Sequence, residues 1–181
     1  MRVLIMADME GVSGIVTWSQ VSHTGSMYEE GRRLYTEEIN AAVRGALAAG
    51  ATEIVAVDCH GAGGDNSFNS FIPDLLHAEV EWVAHHPWGR YTELLEQGCD
   101  AALMVGMHAR ANTPDGVMCH TISTTSWRSL WFNDDCVGET GINAAICGFY
   151  DCPVVLVTGD RAVCRESREL LGDNITTDEV K

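Results

Sequence analysis

Arg2-Val3-Leu4-Ile5-Met6-Ala7-Asp8-Met9-Glu10 opens the chain with an apolar run that stops at two acids. Five consecutive apolar residues, Val3 to Ala7, leave no polar face. A strand of this kind is buried on both sides, as in a parallel sheet with helices above and below. Two later segments repeat the pattern and also run into polar residues at their ends. Glu53–Asp58 continues into Cys59-His60, and Ala101–Gly106 continues into Met107-His108. Pro153–Thr158 reads as a further buried strand.

Helical segments alternate with these strands. Tyr35, Ile39, Ala42, Val43, Ala46 and Leu47 recur at helical spacing and predict a helix from about Tyr28 to Ala49, capped by Ser26 and stopped by Gly50. Tyr91–Gln97, ended by Gly98, reads as a short helix, Thr140–Tyr150 as another, and Asp160 begins a last one reaching about Leu171. Ala78–Val83, Cys119–Thr124 and Trp127–Phe132 read as strands, with Asn133-Asp134-Asp135 as a turn. Gly61–Asn69, with three glycines and two asparagines, is a loop that is mobile or shaped by a ligand. The alternation predicts an α/β fold: a mostly parallel sheet with helices on both faces, a three-layer sandwich, in one domain over residues 1–181. Trp82, Trp127 and Trp131 are expected in its core.

The formal net charge of −15 disfavours phosphate backbones, so nucleic acid is not an expected partner. No apolar stretch approaches the roughly 18 residues of a membrane span, and the opening run is too short for a signal-peptide core, so a cytoplasmic protein is expected. The seven cysteines contain no C-x-x-C pair, and neither a disulfide framework nor a structural zinc knuckle fits them. Most read as reduced thiols in or near the core.

In a parallel α/β sheet the carboxyl ends of the strands share one rim, where ligands bind. Asp8, Glu10, His60 and His108 all fall on that rim. In an extended segment Asp8 and Glu10 point the same way with Cα atoms about 6.6 Å apart. Paired carboxylates can hold two metal ions about 3.5–4 Å apart, and a mixture of carboxylate and imidazole favours zinc over magnesium or calcium. Each signal alone is ambiguous. An Asp-x-Glu after a strand is more often a cap or turn acid, and a lone histidine is more often a satisfied core or surface residue. His120, after a loop crossing the same rim, suits proton transfer near neutral pH, or faces solvent from a strand. Glu139 stands at a helix start, where pairing with the helix dipole is the ordinary explanation. His85-His86 point in opposite directions in an extended segment and read as surface, and His23 and His77 have no partner pattern.

The motifs resemble one family in order and spacing. Ala7-Asp8-Met9-Glu10-Gly11-Val12-Ser13-Gly14, Thr36-Glu37-Glu38-Ile39-Asn40, Asp58-Cys59-His60, Gly106-Met107-His108-Ala109-Arg110, Gly116-Val117-Met118-Cys119-His120 and Val137-Gly138-Glu139-Thr140-Gly141-Ile142-Asn143-Ala144 follow the order of the zinc D-aminopeptidase (DppA) family, over nearly the whole chain. The resemblance implies two zinc ions per subunit, held by Asp8, Glu10, His60, His108 and Glu139, with Asp8 as the bridge and His120 as the catalytic histidine. It implies release of N-terminal D-amino acids, D-Ala typically, from short peptides, and a homo-oligomer built of rings, a decamer in the characterised type. Two departures stand out. Family chains usually continue well past the position of Lys181, so the sheet edge, ring interface or pocket is expected to lack a C-terminal segment, and Cys119 replaces a common serine.

Metal chemistry of this kind activates water and polarises the scissile carbonyl. His120 is expected to shuttle the proton to the leaving amine, with direct attack as the alternative. The competing readings are another dinuclear amidase or phosphoesterase, the latter needing a basic clamp for which only Arg110 lies close in sequence, and a metal-binding assembly subunit without turnover. Cysteine-hydrolase chemistry at Cys119 and His120 ranks lower, because neighbours on a strand face opposite ways.

Overall fold

In the computed structural model, which describes residues 1–84 and 92–181, the central strands are buried on both faces, and alternate side chains face opposite apolar layers. In β1 (Arg2–Ala7) Val3, Ile5 and Ala7 face one apolar layer, while Leu4 and Met6 face the other. In β4 (Ala101–Met107) Leu103 and Val105 join the first layer, and Ala102 and Met104 the second. Six strands form one parallel sheet in the order β3 (Glu81–Val83), β2 (Glu53–Asp58), β1, β4, β7 (Val154–Gly159), β8 (Thr176–Glu179). The long helix α2 (Tyr28–Ala48) buries Tyr35, Ile39 and Val43 in the first layer. Helices α4 (Glu139–Phe149) and α5 (Arg161–Leu171) pack on the second, which holds Cys147, Val163 and Cys164. The expected three-layer α/β sandwich is therefore the observed architecture. Among the described residues no helix is long and apolar enough to cross a membrane.

The end of α2 follows its sequence. Gly50 takes a left-handed φ of 91°, its N–H bonds to Leu47 O, and Ala51 N–H bonds to Ala46 O, which closes the last turn in a Schellman motif. Its start does not. Met27 occupies the cap position, and the Ser26 hydroxyl sits against Ser19 instead. Asp160 does cap α5, accepting from Val163 N–H at 2.7 Å.

Other expectations need correcting. Cys119–Thr124 is not a strand but a sequence of turns, with Met118 at φ 57° and Ile122 at φ 60°. The strand expected over Trp127–Phe132 shrinks to β5 (Leu130–Phe132), which forms an antiparallel hairpin with β6 (Asp135–Val137). Trp127 and Trp131 lie outside the core, 44% and 57% exposed: Trp131 is in a hairpin that stands apart from the main sheet, and Trp127 in the irregular segment before it. Trp82 is partly buried against Phe71, as expected. The strand expected over Ala78–Val83 begins only at Glu81, after a turn of 3-10 helix at Pro73–Leu75. The short helix α1 (Trp18–Val21) and the polar edge strand β8 have no apolar pattern to announce them. His85-His86 and the first residue of the helix expected over Tyr91–Gln97 lie outside the described residues; the rest of that helix contains α3 (Glu93–Glu96).

Candidate metal centre

β2, β1 and β4 are adjacent and parallel, so their carboxyl ends meet at one rim. The β1 end is locked to the β4 end by backbone hydrogen bonds from Asp8 N–H to Val105 O and from Gly11 N–H to Gly106 O, at 2.9 and 2.7 Å. The approach is too close for a side chain. A Cβ on Gly11 would lie 1.8 Å from Met107 O, and one on Gly106, which has φ 72°, would lie 2.1 Å from Asp8 O. Glycine is required at both positions.

All five residues expected to bind metal converge on this rim, together with His120. His60 Nδ1 lies 3.2 Å from Asp8 Oδ1 and 3.0 Å from Glu10 Oε2. His108 Nε2 lies 3.2 Å from Asp8 Oδ2 and 3.3 Å from Glu139 Oε1. His120 Nε2 approaches the same Glu139 oxygen at 3.6 Å, and its ring stacks on that of His108. Asp8 thus stands between the two buried imidazoles, and Glu139 closes the far side. Asp8, Glu10, His60 and His108 are each less than 5% exposed. His23 contacts Ala62 O and His77 the backbone of Glu79; neither joins the cluster.

The histidines are oriented by the main chain. His60 Nε2 contacts Val21 O at 2.8 Å, His108 Nδ1 contacts Ala109 O at 3.0 Å, and His120 Nδ1 contacts Met118 O at 3.0 Å. A carbonyl only accepts, so each of these nitrogens carries the hydrogen. The other nitrogen of each ring then faces the carboxylates, where it carries a proton or gives its lone pair to a cation. Metal-binding histidines are commonly held in this way.

A deeper set of bonds positions the strand ends. The Tyr35 hydroxyl, buried on α2, reaches both Ala7 O at 3.0 Å and Asp58 Oδ1 at 2.9 Å. Asp58 in turn accepts from His60 N–H at 2.9 Å and Ser70 N–H at 2.5 Å. Burial raises the pKa of Asp58 and that of Tyr35, each above its ordinary range. On the other side Ile122, held at positive φ, donates its N–H to Glu139 Oε1 at 2.7 Å, and Asp160 accepts from Val117 N–H at 2.6 Å. The turns that replace the expected strand thus hold both His120 and Glu139. Lys181 donates to Glu10 O and Ile15 O, pinning the loop after β1. Tyr35, Asp160 and Lys181 have no local motif that assigns them these roles. Asp58 does belong to a strand-end motif, but it orients His60 and does not face the cluster.

Burial alone drives the Asp8 pKa up, but hydrogen bonds and charge from His108 and His60 outweigh it and hold the carboxyl well below its usual range. Burial likewise pulls His60 and His108 down, and the carboxylates prevail: Glu10 and Asp8 lift His60, and Glu139 and Asp8 lift His108, both well above the ordinary imidazole value. Asp8 Oδ2, Glu10 Oε2 and His108 Nε2 are buried with no partner in full hydrogen-bonding geometry, only the close charge contacts given above. Orphaned polar atoms are costly in a protein interior. Three of them, belonging to two carboxylates and an imidazole within 4.8 Å of one another, suit cations. Arg110 does not add a phosphate clamp, since its guanidinium lies 3.2 Å from Glu166.

Fold and rim together define a class: parallel α/β proteins with carboxylates and imidazoles gathered for metal at the carboxyl ends of the strands. The D-aminopeptidase family model matches residues 1–181, and the chain belongs to that family. A D-aminopeptidase of Bacillus subtilis strain 168 is 37% identical over 183 residues, covering 100% of this chain and 64% of the relative. Among solved structures, the Zn-dependent D-aminopeptidase DppA from Bacillus subtilis, described as a self-compartmentalizing protease, matches with a TM-score of 0.90 and 36% identity, over 99% of this chain and 63% of that one. The chain therefore spans just under two thirds of the length of these relatives.

Proposed function

We propose that the chain is a zinc-dependent D-aminopeptidase that removes N-terminal D-amino acids, D-Ala in particular, from short peptides. Asp8, Glu10, His60, His108 and Glu139 would hold two zinc ions per subunit. The observation that carries this reading is the convergence of three orphaned buried atoms with imidazoles whose outer nitrogens are already committed to backbone carbonyls. Zinc, when bound, supplies Lewis acidity for a peptide carbonyl and lowers the pKa of a water towards about 7.

The remaining work falls to the chain itself. His120 presents Nε2 to the cluster while Nδ1 stays on Met118 O, so it can take a proton and return it to the leaving amine through one atom. Trp18 lies edge-on to the His120 ring at 5.6 Å and shields one side of it.

We place the protein in the cytoplasm as a ring-built homo-oligomer, in keeping with the self-compartmentalizing description of the similar structure. Light scattering on the purified protein reads the assembly. The function is tested by measuring metal content and then turnover of D-Ala-p-nitroanilide and L-Ala-p-nitroanilide before and after chelation. Two equivalents of zinc and D-selective turnover lost with the metal are expected. Absence of zinc binding, or L-selectivity, overturns the reading.

A further inference from the structure

A pocket of about 290 Å³ opens beside His120, walled by Asn112, Cys119, Ser123, Thr125, Trp127 and Arg128 among others. Its size is at the low end for ligand sites, enough for a residue or two of peptide and little more. His120 belongs both to this wall and, through its stack on His108, to the candidate metal cluster, so the pocket adjoins the cluster at the residue that would deliver a proton.

The charge in that wall is unusual for this chain. With 26 acids against 11 basic residues, cations here are scarce, and those near the site are mostly occupied: Arg110 by Glu166, Arg165 by Asp115 and Lys181 by two carbonyls. Arg128 has no ion pair or side-chain hydrogen bond among the described residues. Its backbone is nonetheless fixed, because Arg128 O accepts from Asn112 Nδ2 at 2.7 Å. Among the described residues no acid lines the pocket. Ser123 Oγ organises the turn below it, accepting from Thr125 N–H and Ser126 N–H at 3.3 and 3.1 Å.

We infer that this pocket takes the leaving-side residue of the substrate and that Arg128 pairs with its free α-carboxylate, which makes the protein selective for very short peptides ending in a carboxylate. The inference rests on the D-aminopeptidase reading and narrows its substrate class. Arginine suits the role because its planar fork meets a carboxylate through two hydrogen bonds. A longer peptide or a blocked C-terminus would leave the guanidinium unmatched.

The test compares Arg128→Gln with the unaltered protein, both loaded with zinc. Calorimetry measures binding of D-alanyl-D-alanine and of its C-terminal amide, and kinetics measure both, with D-Ala-p-nitroanilide as a carboxylate-free control. Expected is a loss of tenfold or more in dipeptide affinity and kcat/KM, carried mainly by KM, with the amide and the anilide within about twofold of the unaltered protein. Arg128→Lys should recover part of the loss. Arg128 is exposed, and an unchanged melting temperature would show the variant folded. Equal losses on dipeptide and amide, or no loss on either, overturn the proposal. Failure of the broader reading looks different: the unaltered protein would bind the dipeptide but hydrolyse none of the three compounds, and the calorimetric comparison would still decide the role of Arg128.

Discussion

The imidazole of His120 lies flat against that of His108, with centroids 3.9 Å apart and planes within 9° of parallel. Two rings this close share one electrostatic environment, yet their surroundings differ. His108 is buried among Asp8, Glu139 and backbone, with a cavity of only about 30 Å³ beside it, whereas His120 borders the pocket of about 290 Å³. On the proposed function the pair would divide into a holding member, His108, and a working member, His120.

Removing each ring separately should expose that division. His120→Ala is expected to keep its zinc and its melting temperature while turnover falls by about 100-fold or more. His108→Ala is expected to lose zinc. Metal content by mass spectrometry and turnover on one preparation check both, and full activity in the His120 variant would remove it from proton transfer.

Chelation should make stability depend on pH in a particular direction. Without metal, His60 and His108 bind protons more tightly in the folded chain than in the unfolded one. Their contribution is fully present below about pH 6.5 and is lost as pH rises through the raised folded values. The depressed pKa of Asp8 acts at the acid end, where its contribution is lost as pH falls. The metal-free protein is therefore expected to melt at lower temperature at pH 8.5 than at pH 6.5. The gap between zinc-loaded and chelated samples should widen over that interval, since protons no longer compete for the ligands. A gap that narrows would contradict the arrangement.

Tyr35→Phe removes one hydroxyl that serves Ala7 O and Asp58 together. It should destabilise the fold by about 1–2 kcal/mol, read by urea unfolding. Because the same hydroxyl aligns the ends of β1 and β2, zinc affinity should also fall, by about tenfold, as for other outer partners of metal ligands. A competitive chelator titration measures it.

Two glycines should respond oppositely to alanine. Gly45 lies within α2 at an exposed position with nothing within 4 Å of a new Cβ, so Gly45→Ala should stabilise by about 0.5–1 kcal/mol. Gly106→Ala meets Asp8 O at 2.1 Å from a left-handed φ, and should cost more than 2 kcal/mol or prevent folding altogether. Thermal unfolding of both variants checks the contrast.

The rim was legible because it needs only topology. Parallel strands with continuous apolar runs end side by side, and Asp8, His60 and His108 stand at or just past the ends of β1, β2 and β4. Glu139 and His120 were not legible in that way. A glutamate at a helix start has an ordinary reason to be there, and His120 sits in turns that were expected to be a strand. Both came from resemblance of motif, and the structure brings them to the same cluster through Ile122, whose strained backbone donates to Glu139. Strand β8 escaped because Thr176-Thr177-Asp178-Glu179 is a polar edge, and Tyr35 escaped because a tyrosine at helical spacing looks like any other core residue.

Each of the three imidazoles spends one nitrogen on a main-chain oxygen. Once His60 and His108 give their second nitrogen to a cation, Nε2 of His120 is the one basic imidazole atom left. Hydrogen-ion traffic through a loaded centre would then converge on that single atom, which faces Glu139, on a ring that also borders the pocket walled by Trp127 and Arg128.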